Sequence, residues 1–431
     1  MRTRSKAATL SLLSMGIGQL YNKQWMKGLL LLLAEGGGLA ALPEWKKGLL
    51  MLIYLGEQPS RLVDGNFVPG DHSIFMMVQG LLTVFAFLLF AALYGWNVRD
   101  AYRIGKLRES GARAPRFAES LKRLGEEGYP FILMSPAFLL TLLFTILPIV
   151  FGVLIAFTNY SGPNHLPPRH LVDWVGLQTF KDLLTLGNWS GTFVKVGLWT
   201  VVWAVLATVS TFFFGLFVAV LVQYPTVRYK KLWRTIFIVP YAVPGFVSIL
   251  IMRNFFNGSF GPLNQYLKAV GLPAMEWLSD PNLAKVTVLL VNLWLAFPYF
   301  MFMMTGVMSG ISKDLYEAAE VDGASRALQF FSITLPMVLY STAPLLIMNF
   351  AFNFTNFNLI YLLTEGNPVN NVLKFAGETD ILLSWIFKLT LEQNQFNLAS
   401  AVSILVFIVI ATFSVIQFRF TKAQKERDLV Q

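Results

Sequence analysis

Three histidines, no cysteine and a few well-placed asparagines limit the chemistry open to this 431-residue chain. His165 and His170 stand five apart with Pro167 and Pro168 between them, and His72 is far away, so the spacing matches no metal-ligand pattern. No metal site is expected, and the absence of cysteine removes thiol nucleophiles and disulfides. Gly105-Lys106 is followed by Leu107 and lacks the upstream glycine of a phosphate loop. The chain is therefore not expected to hydrolyse ATP or to carry a cofactor, and any driving energy must come from another subunit or an ion gradient. What remains are amides beside aromatic rings. Phe350 to Asn358 reads FAFNFTNFN, with Asn353 and Asn356 at a spacing that shares a helix face. Leu295-Ala296-Phe297-Pro298-Tyr299 forms a second cluster, in which Pro298 removes a helix hydrogen bond. Sugars offer hydroxyls to amides and apolar ring faces to aromatic side chains, which suits a carbohydrate path. Helix-to-helix hydrogen bonding among core aromatics uses the same residue types, and composition leaves both readings open.

The elements that must hold these residues are membrane spans. The chain is 55% hydrophobic and only 13% charged, with a mean hydropathy of +0.57, which predicts an all-α integral membrane protein. Its net charge of +10 follows alternate loops and forms no aromatic-interleaved stripe, so topology explains it better than nucleic acid does. About eight spans are expected: one from near Lys27 to somewhere between Leu42 and Leu55, then 73–96, 131–157, 193–222, 235–252, 286–309, 337–363 and 398–418. The apolar piece at 7–20 reads as an uncleaved interfacial or re-entrant segment, with Gly16, Gly18 and Asn22 making a turn. Glu35 is the one acid deep in the first span, and a structural role is preferred for it. Residues 1–128 form a two-span appendage ending in a basic loop, and residues 129–431 a six-span core.

Charge fixes the expected orientation. Loop 99–129 has eight basic residues against five acids, loop 223–234 has four and none, and the tail from Arg419 four and two; all three should be cytoplasmic, as should both termini. Loops 158–192, 253–285 and 364–397 should lie outside. No Asp, Glu, Lys or Arg occurs between Lys285 and Lys313, between Arg326 and Glu365, or from Asn394 to Gln417. That lowers the odds of an ion-driven carrier, which generally needs titratable groups inside its spans.

One cytoplasmic loop, residues 312–336, has the pattern of a docking element. Ser312 can cap a short helix with Asp314 in its first turn, and Gly323 supplies a stop. A second short helix fits Ser325 to Phe331, and Pro336 suits the first turn of the next long helix. Leu315, Ala318 and Ala319 share a face whose small residues allow close approach, while Lys313, Glu317 and Glu320 lie on another.

Glu317-Ala318-Ala319, Gly323 six residues after the glutamate, and Ile-x-Leu-Pro at 333–336 resemble the cytoplasmic EAA loop of binding-protein-dependent ABC importer permeases. From about Tyr129 onward, PYAVPGFVSIL, NGSFGPLN, LSDP, WLAFPY and AFNFTNFNLIYLLTEGNP stand in the order of the maltose/maltodextrin permease family of the MalF type. The short 158–192 loop is similar to its Gram-positive form. The resemblance implies a second permease subunit, two ATP-binding cassette subunits carrying ATP and Mg, and an extracellular sugar-binding protein. It implies contact of oligosaccharide with Leu295, Ala296, Tyr299, Phe352, Asn353 and the region of Gly245, to which the residue reading adds Asn356. Ala296 stands where the family more often has glycine. The EAA loop would couple to the ATPase through Leu315, Glu317, Ala318, Ala319, Asp322 and Gly323. A galacto-oligosaccharide is the alternative cargo.

Overall fold

The computed structural model describes residues 2–63, 66–126, 128–166, 170–224 and 226–420, in two compact units, Met1–Gly176 and Leu177–Gln431. Pro167, Pro168 and the basic tail at 421–431 lie outside the described residues. Among the described residues the fold is helical apart from one short ribbon. Among the described residues six helices are long and apolar enough to cross a membrane, and two bent helix pairs, each counted as one span, bring the number to eight.

The first unit begins with α1 (Thr3–Leu13), α2 (Ile17–Tyr21), α3 (Trp25–Ala40) and α4 (Leu42–Tyr54). Helices α3 and α4 meet at 48°, with Pro43 in the first turn of α4, so the expected first span is a bent pair. The ribbon, β1 (Arg61–Val63) and β2 (Asn66–Val68), pairs antiparallel with Arg61 opposite Val68. Next come α5 (Ser73–Glu109), α6 (Phe117–Glu126), α7 (Tyr129–Thr141) and α8 (Leu147–Ile155), the last two joined through a π-helical turn at Leu142–Ile146. Helix α5 extends well past residue 96. Its 37 residues reach about 55 Å because its polar end is held by the N-terminal segment. Lys27 pairs with Asp100 at 2.7 Å, and Arg108 Nη1 donates to the Tyr21 carbonyl at 2.7 Å. The turn at Gly16 is fixed by amides: Gln19 Nε2 donates to the Asn97 carbonyl and Asn22 Nδ2 to that of Ala101, both at 2.9 Å. Glu35 accepts from Ser14 Oγ and from the Met15 amide, so its carboxylate holds this turn.

The second unit contains α9 (Gln178–Thr185), α10 (Gly187–Gln223), α11 (Lys230–Ala242), α12 (Gly245–Phe255), α13 (Pro262–Ala269) and α14 (Pro281–Ser309). Then follow α15 (Lys313–Val321), α16 (Arg326–Gln329), a π-helical turn at Phe330–Thr334, α17 (Leu335–Phe354), α18 (Phe357–Thr364), α19 (Leu382–Phe387), a further π-helical turn at Lys388–Glu392 and α20 (Phe396–Phe420). Its core forms where α10 meets α14: Phe212, Leu216, Phe300, Met301 and Met304 are buried there. At Gly215 a Cβ would stand 2.4 Å from Phe300 Cβ, so the approach requires glycine.

Two expected spans are interrupted. The 235–252 span is two helices crossing at 90°, because Pro244 holds Val243 extended (φ −87°, ψ 137°) and α12 restarts at Gly245. The 337–363 span stops at Phe354, where Asn356 Oδ1 accepts from the Leu359 amide and starts α18 afresh. Asn353 and Asn356 therefore share no helix face.

The segment after α18 is held to the helices by charge. Glu378 accepts from Lys285 Nζ at 2.7 Å and Lys195 Nζ at 2.9 Å, and from Asn370 Nδ2. Burial disfavours its charged form, but the two ammonium groups and the Asn370 amide outweigh that and lower its pKa from 4.5 to about 2. The contribution to stability is complete above pH 4.5 and is lost as pH falls through 2. Thermal unfolding of the purified chain in detergent should thus be insensitive to Glu378 titration from pH 7 to 4.5. Below that the melting temperature should drop, and Glu378→Gln should flatten this part of the pH profile.

Candidate functional site

On α14, Leu295 and Ala296 are half-buried, and Leu295 packs against the core that holds Trp203 and Ile249. Tyr299, one turn further on, is 44% exposed. Its ring lies 6.4 Å from that of Tyr241 on α11, just before the right-angle bend, and Gly245 is the exposed first residue of α12 on the other side. The structure thus gathers Tyr299 and Leu295 beside the bent pair. Pro298 lies inside a helix that continues through it, leaving the carbonyl of Trp294 without its helical donor.

The residues on α17 divide. Phe352 is 63% exposed and Asn353 2%. Asn353 Nδ2 donates to Thr208 Oγ1 on α10 at 3.0 Å, and its carbonyl accepts from Trp203 Nε1 at 2.9 Å. In this state Asn353 therefore joins helices, one of the two readings its residue type allowed, while Asn356 caps α18 at the helix break. Two amides passed over in the sequence complete the picture. Asn292, 4% exposed, and Asn349 each have a buried Nδ2 with no hydrogen-bond partner among the described residues. Asn292 lies three residues before Leu295 and seven before Tyr299, and Asn349 three before Phe352, so each continues a face already singled out. An orphaned buried amide costs about 1–3 kcal/mol, and a ligand hydroxyl can remove that cost. The signal was available as polar amides at helical spacing in charge-free spans.

At the opposite end of α14 the candidate docking loop is built as its residues dictate. Ser312 Oγ accepts from the Asp314 amide at 3.3 Å and opens α15. Gly323, at φ +76°, closes it: its amide donates to the Glu320 carbonyl, and that of Ala324 to the Ala319 carbonyl at 2.9 Å. No residue of α15 is buried; Leu315, Glu317, Ala318 and Asp322 are exposed and Ala319 is half-buried. The Tyr316 hydroxyl, 2.8 Å from Thr334 Oγ1, anchors it inward. The expected second helix begins as read, with Ser325 accepting from the Leu328 amide, but it runs on through the π-helical turn into α17. That wide turn lets Pro336, which has no N–H, sit in the first turn of α17 without ending the helix.

The family described as binding-protein-dependent transport system inner membrane component matches residues 211–426. The chain is similar over its length to two curated proteins of Bacillus subtilis (strain 168). It is 40% identical to the galactooligosaccharides transport system permease protein GanP, over 99% of this chain and 100% of that protein. It is 36% identical to the maltodextrin transport system permease protein MdxF, over 98% and 97%. A solved bacterial ABC transporter that imports the acidic polysaccharide alginate has a chain sharing the fold, with a TM-score of 0.57 at 21% identity, over 70% of this chain and 99% of that one.

The two kinds of buried amide should respond oppositely to mutation. Thr208→Val leaves the Asn353 amide unpaired and should lower stability by about 1–3 kcal/mol, whereas Asn292→Leu removes an orphan and should leave the melting temperature unchanged or raised. Thermal unfolding of both variants in one detergent checks this.

Proposed function

Since the chain belongs to the family of binding-protein-dependent transport system inner membrane components, we propose that it is the MalF-type subunit of an ATP-driven importer of neutral oligosaccharides. The observation that carries the coupling part of this reading is α15: a nine-residue helix capped at both ends, with none of its residues buried. Such a helix leaves its surface free for an external partner, and a cleft in an ATP-binding cassette subunit fits it. Glu317 is the polar anchor and Gly323 sets the angle of departure. Leu315, Ala318, Ala319 and Asp322 complete the surface. ATP and Mg sit on the two cassette subunits, and a second permease subunit closes the path. An extracellular binding protein delivers the sugar, and the termini and α15 face the cytoplasm.

The path is lined by Leu295, Ala296, Tyr299, Phe352 and the bend at Gly245, with the amides of Asn353, Asn356, Asn292 and Asn349 as hydrogen-bonding groups. The lack of charge from 286 to 312 and from 327 to 364 supports a neutral cargo, because an acidic sugar would need basic partners here. The same lack weighs against an ion-driven carrier. Maltodextrin is the first choice of cargo. A galacto-oligosaccharide is the second, favoured by the greater identity to GanP. Linkage is decided by the placement of a few hydroxyl partners, and the scaffold is common to both.

ATP-dependent uptake of labelled maltotriose and of β-1,4-galactotriose by the reconstituted complex tests this reading. One sugar should be taken up, and Tyr299→Ala and Asn353→Ala should abolish uptake in complexes that still assemble. Uptake that persists without any ATPase subunit would refute the reading. Glu317→Lys and Gly323→Asp should leave the chain folded but separate ATP hydrolysis from uptake. A side chain at φ +76° costs only about 1–2 kcal/mol and has open space around it, so loss of coupling in Gly323→Asp would not come from unfolding. Normal uptake in both would remove α15 from the mechanism.

A further inference from the structure

Beyond α18, on the side expected to lie outside the membrane, a cleft of about 750 Å³ opens against the 365–377 segment, within the range of small-molecule sites. We propose that this cleft is a receiving subsite for a neutral oligosaccharide, occupied before the sugar passes between the spans. The inference rests on the oligosaccharide reading above and deepens it.

The wall of the cleft is preorganised. The segment folds back on itself at the Val369 and Gly377 bridge, and Glu378 fastens it to α10 and α14 through Lys195 and Lys285. A second fastening is fully internal. The buried Asp380 carboxylate accepts from the Gly377 amide, Ser384 Oγ and Lys388 Nζ, each at 2.7 Å. A Cβ on Gly377 would come within 2.1 Å of the Gly366 carbonyl, so this wall has one compact form. A wall already ordered loses little entropy when a ligand binds.

The lining chemistry gives the ligand class. Asn188, Asn371 and Gln393 bring amides that both donate and accept, as neighbouring sugar hydroxyls require, and Glu392 adds an exposed acceptor. Tyr361 and Phe375 bring ring faces for the apolar side of a pyranose. The charges that could favour an ion are matched within the chain: Lys388 by Asp380, and Glu365 by Arg253 at 2.8 Å. Among the described lining residues an anionic ligand would meet Glu392 with no unmatched cation except Lys374, whose ammonium sits 4.8 Å from the Trp189 ring centre.

The cleft is continuous with the candidate path. Tyr361 stacks on Phe357 at 5.0 Å and meets Phe387 at 4.7 Å. Its helix starts at the Asn356 cap, so Tyr361 stands about 7.5 Å along the axis from the break where the α17 residues end. A sugar leaving the cleft along this ring column arrives at Asn356.

The test uses the complete importer in lipid nanodiscs with no binding protein, probed with maltotetraose and with β-1,4-galactotetraose by saturation-transfer NMR. Signal from one sugar should survive Tyr299→Ala and fall at least fivefold in the Asn371→Ala/Gln393→Ala double variant. Glu392→Gln should reduce it less. Equal signal in wild type and double variant would overturn the proposal. So would loss of the second permease from the purified double variant, since the cleft would then be a subunit interface. Cleft-dependent binding of a sugar that is never taken up would keep the subsite and sink the importer reading; uptake without a cleft-dependent signal would do the reverse.

Discussion

The width of one methyl group governs how the second unit is assembled. At Gly215 the backbone of α10 lies against Phe300 and Met301 of α14 so closely that any Cβ would overlap Phe300. Phe212 meets the Phe300 ring edge-on at 5.9 Å beside it, and Met304 is fully enclosed. With that contact fixed, the rotation of α14 about its axis is fixed as well. Phe297, Phe300 and Met301 turn inward, and Leu295 and Tyr299 face the bent pair. Only three residues separate the end of α14 from the start of α15, so the same rod that presents the candidate path also positions the proposed docking helix. On the other side of α15, the helix from Arg326 to Phe354 carries in its last turn Asn353, which hydrogen-bonds back to α10 through Thr208. Both rods that flank the docking helix thus converge on α10.

Backbone hydrogen bonding gives the breaks in these rods their meaning. In lipid a helix cannot stop without leaving donors and acceptors unmatched, so each interruption must be resolved locally. At Pro244 the turn is made by a residue with no N–H to lose. At Phe330–Thr334 a wider turn admits Pro336. At Asn356 the side chain supplies the missing acceptor. Two of the three stand beside residues assigned to the path, and the third joins the docking loop to α17. These three irregular stretches stand where a cargo or a partner is expected, whereas α10 and α14 run unbroken for 37 and 29 residues.

Much of this was legible in the residues. The docking helix could be read to its ends, because Ser312 and Gly323 act through their own side chain or lack of one, and such local chemistry does not depend on distant packing. The span positions followed from hydropathy for the same reason. The right-angle bend was missed although Pro244-Gly245 stood in plain view, since an average over a span-length window is blind to direction. The end of α17 was missed because Asn356 offers an amide that suits a helix face as well as a cap, and only the backbone decides between them. The inward turn of Asn353 depends on Thr208, 145 residues away. No local pattern contains that information. Asn292 and Asn349 carry no distinguishing local mark, Asn349 standing beside Phe350 just as Asn356 stands beside Phe357; what sets these two apart is a buried group with no partner among the described residues, which only the packing reveals.

The claim on which the account turns is that α15 seats in an ATPase subunit. As the chain has no cysteine, Ala318→Cys introduces a single thiol on the exposed face of this helix. Labelled with a benzophenone maleimide in membranes that contain the whole transporter and irradiated, it should give an adduct with a phosphate-loop ATPase, identified by mass spectrometry, whose yield changes when ATP is added. Adducts with lipid alone, in membranes that still take up the sugar, would contradict the account.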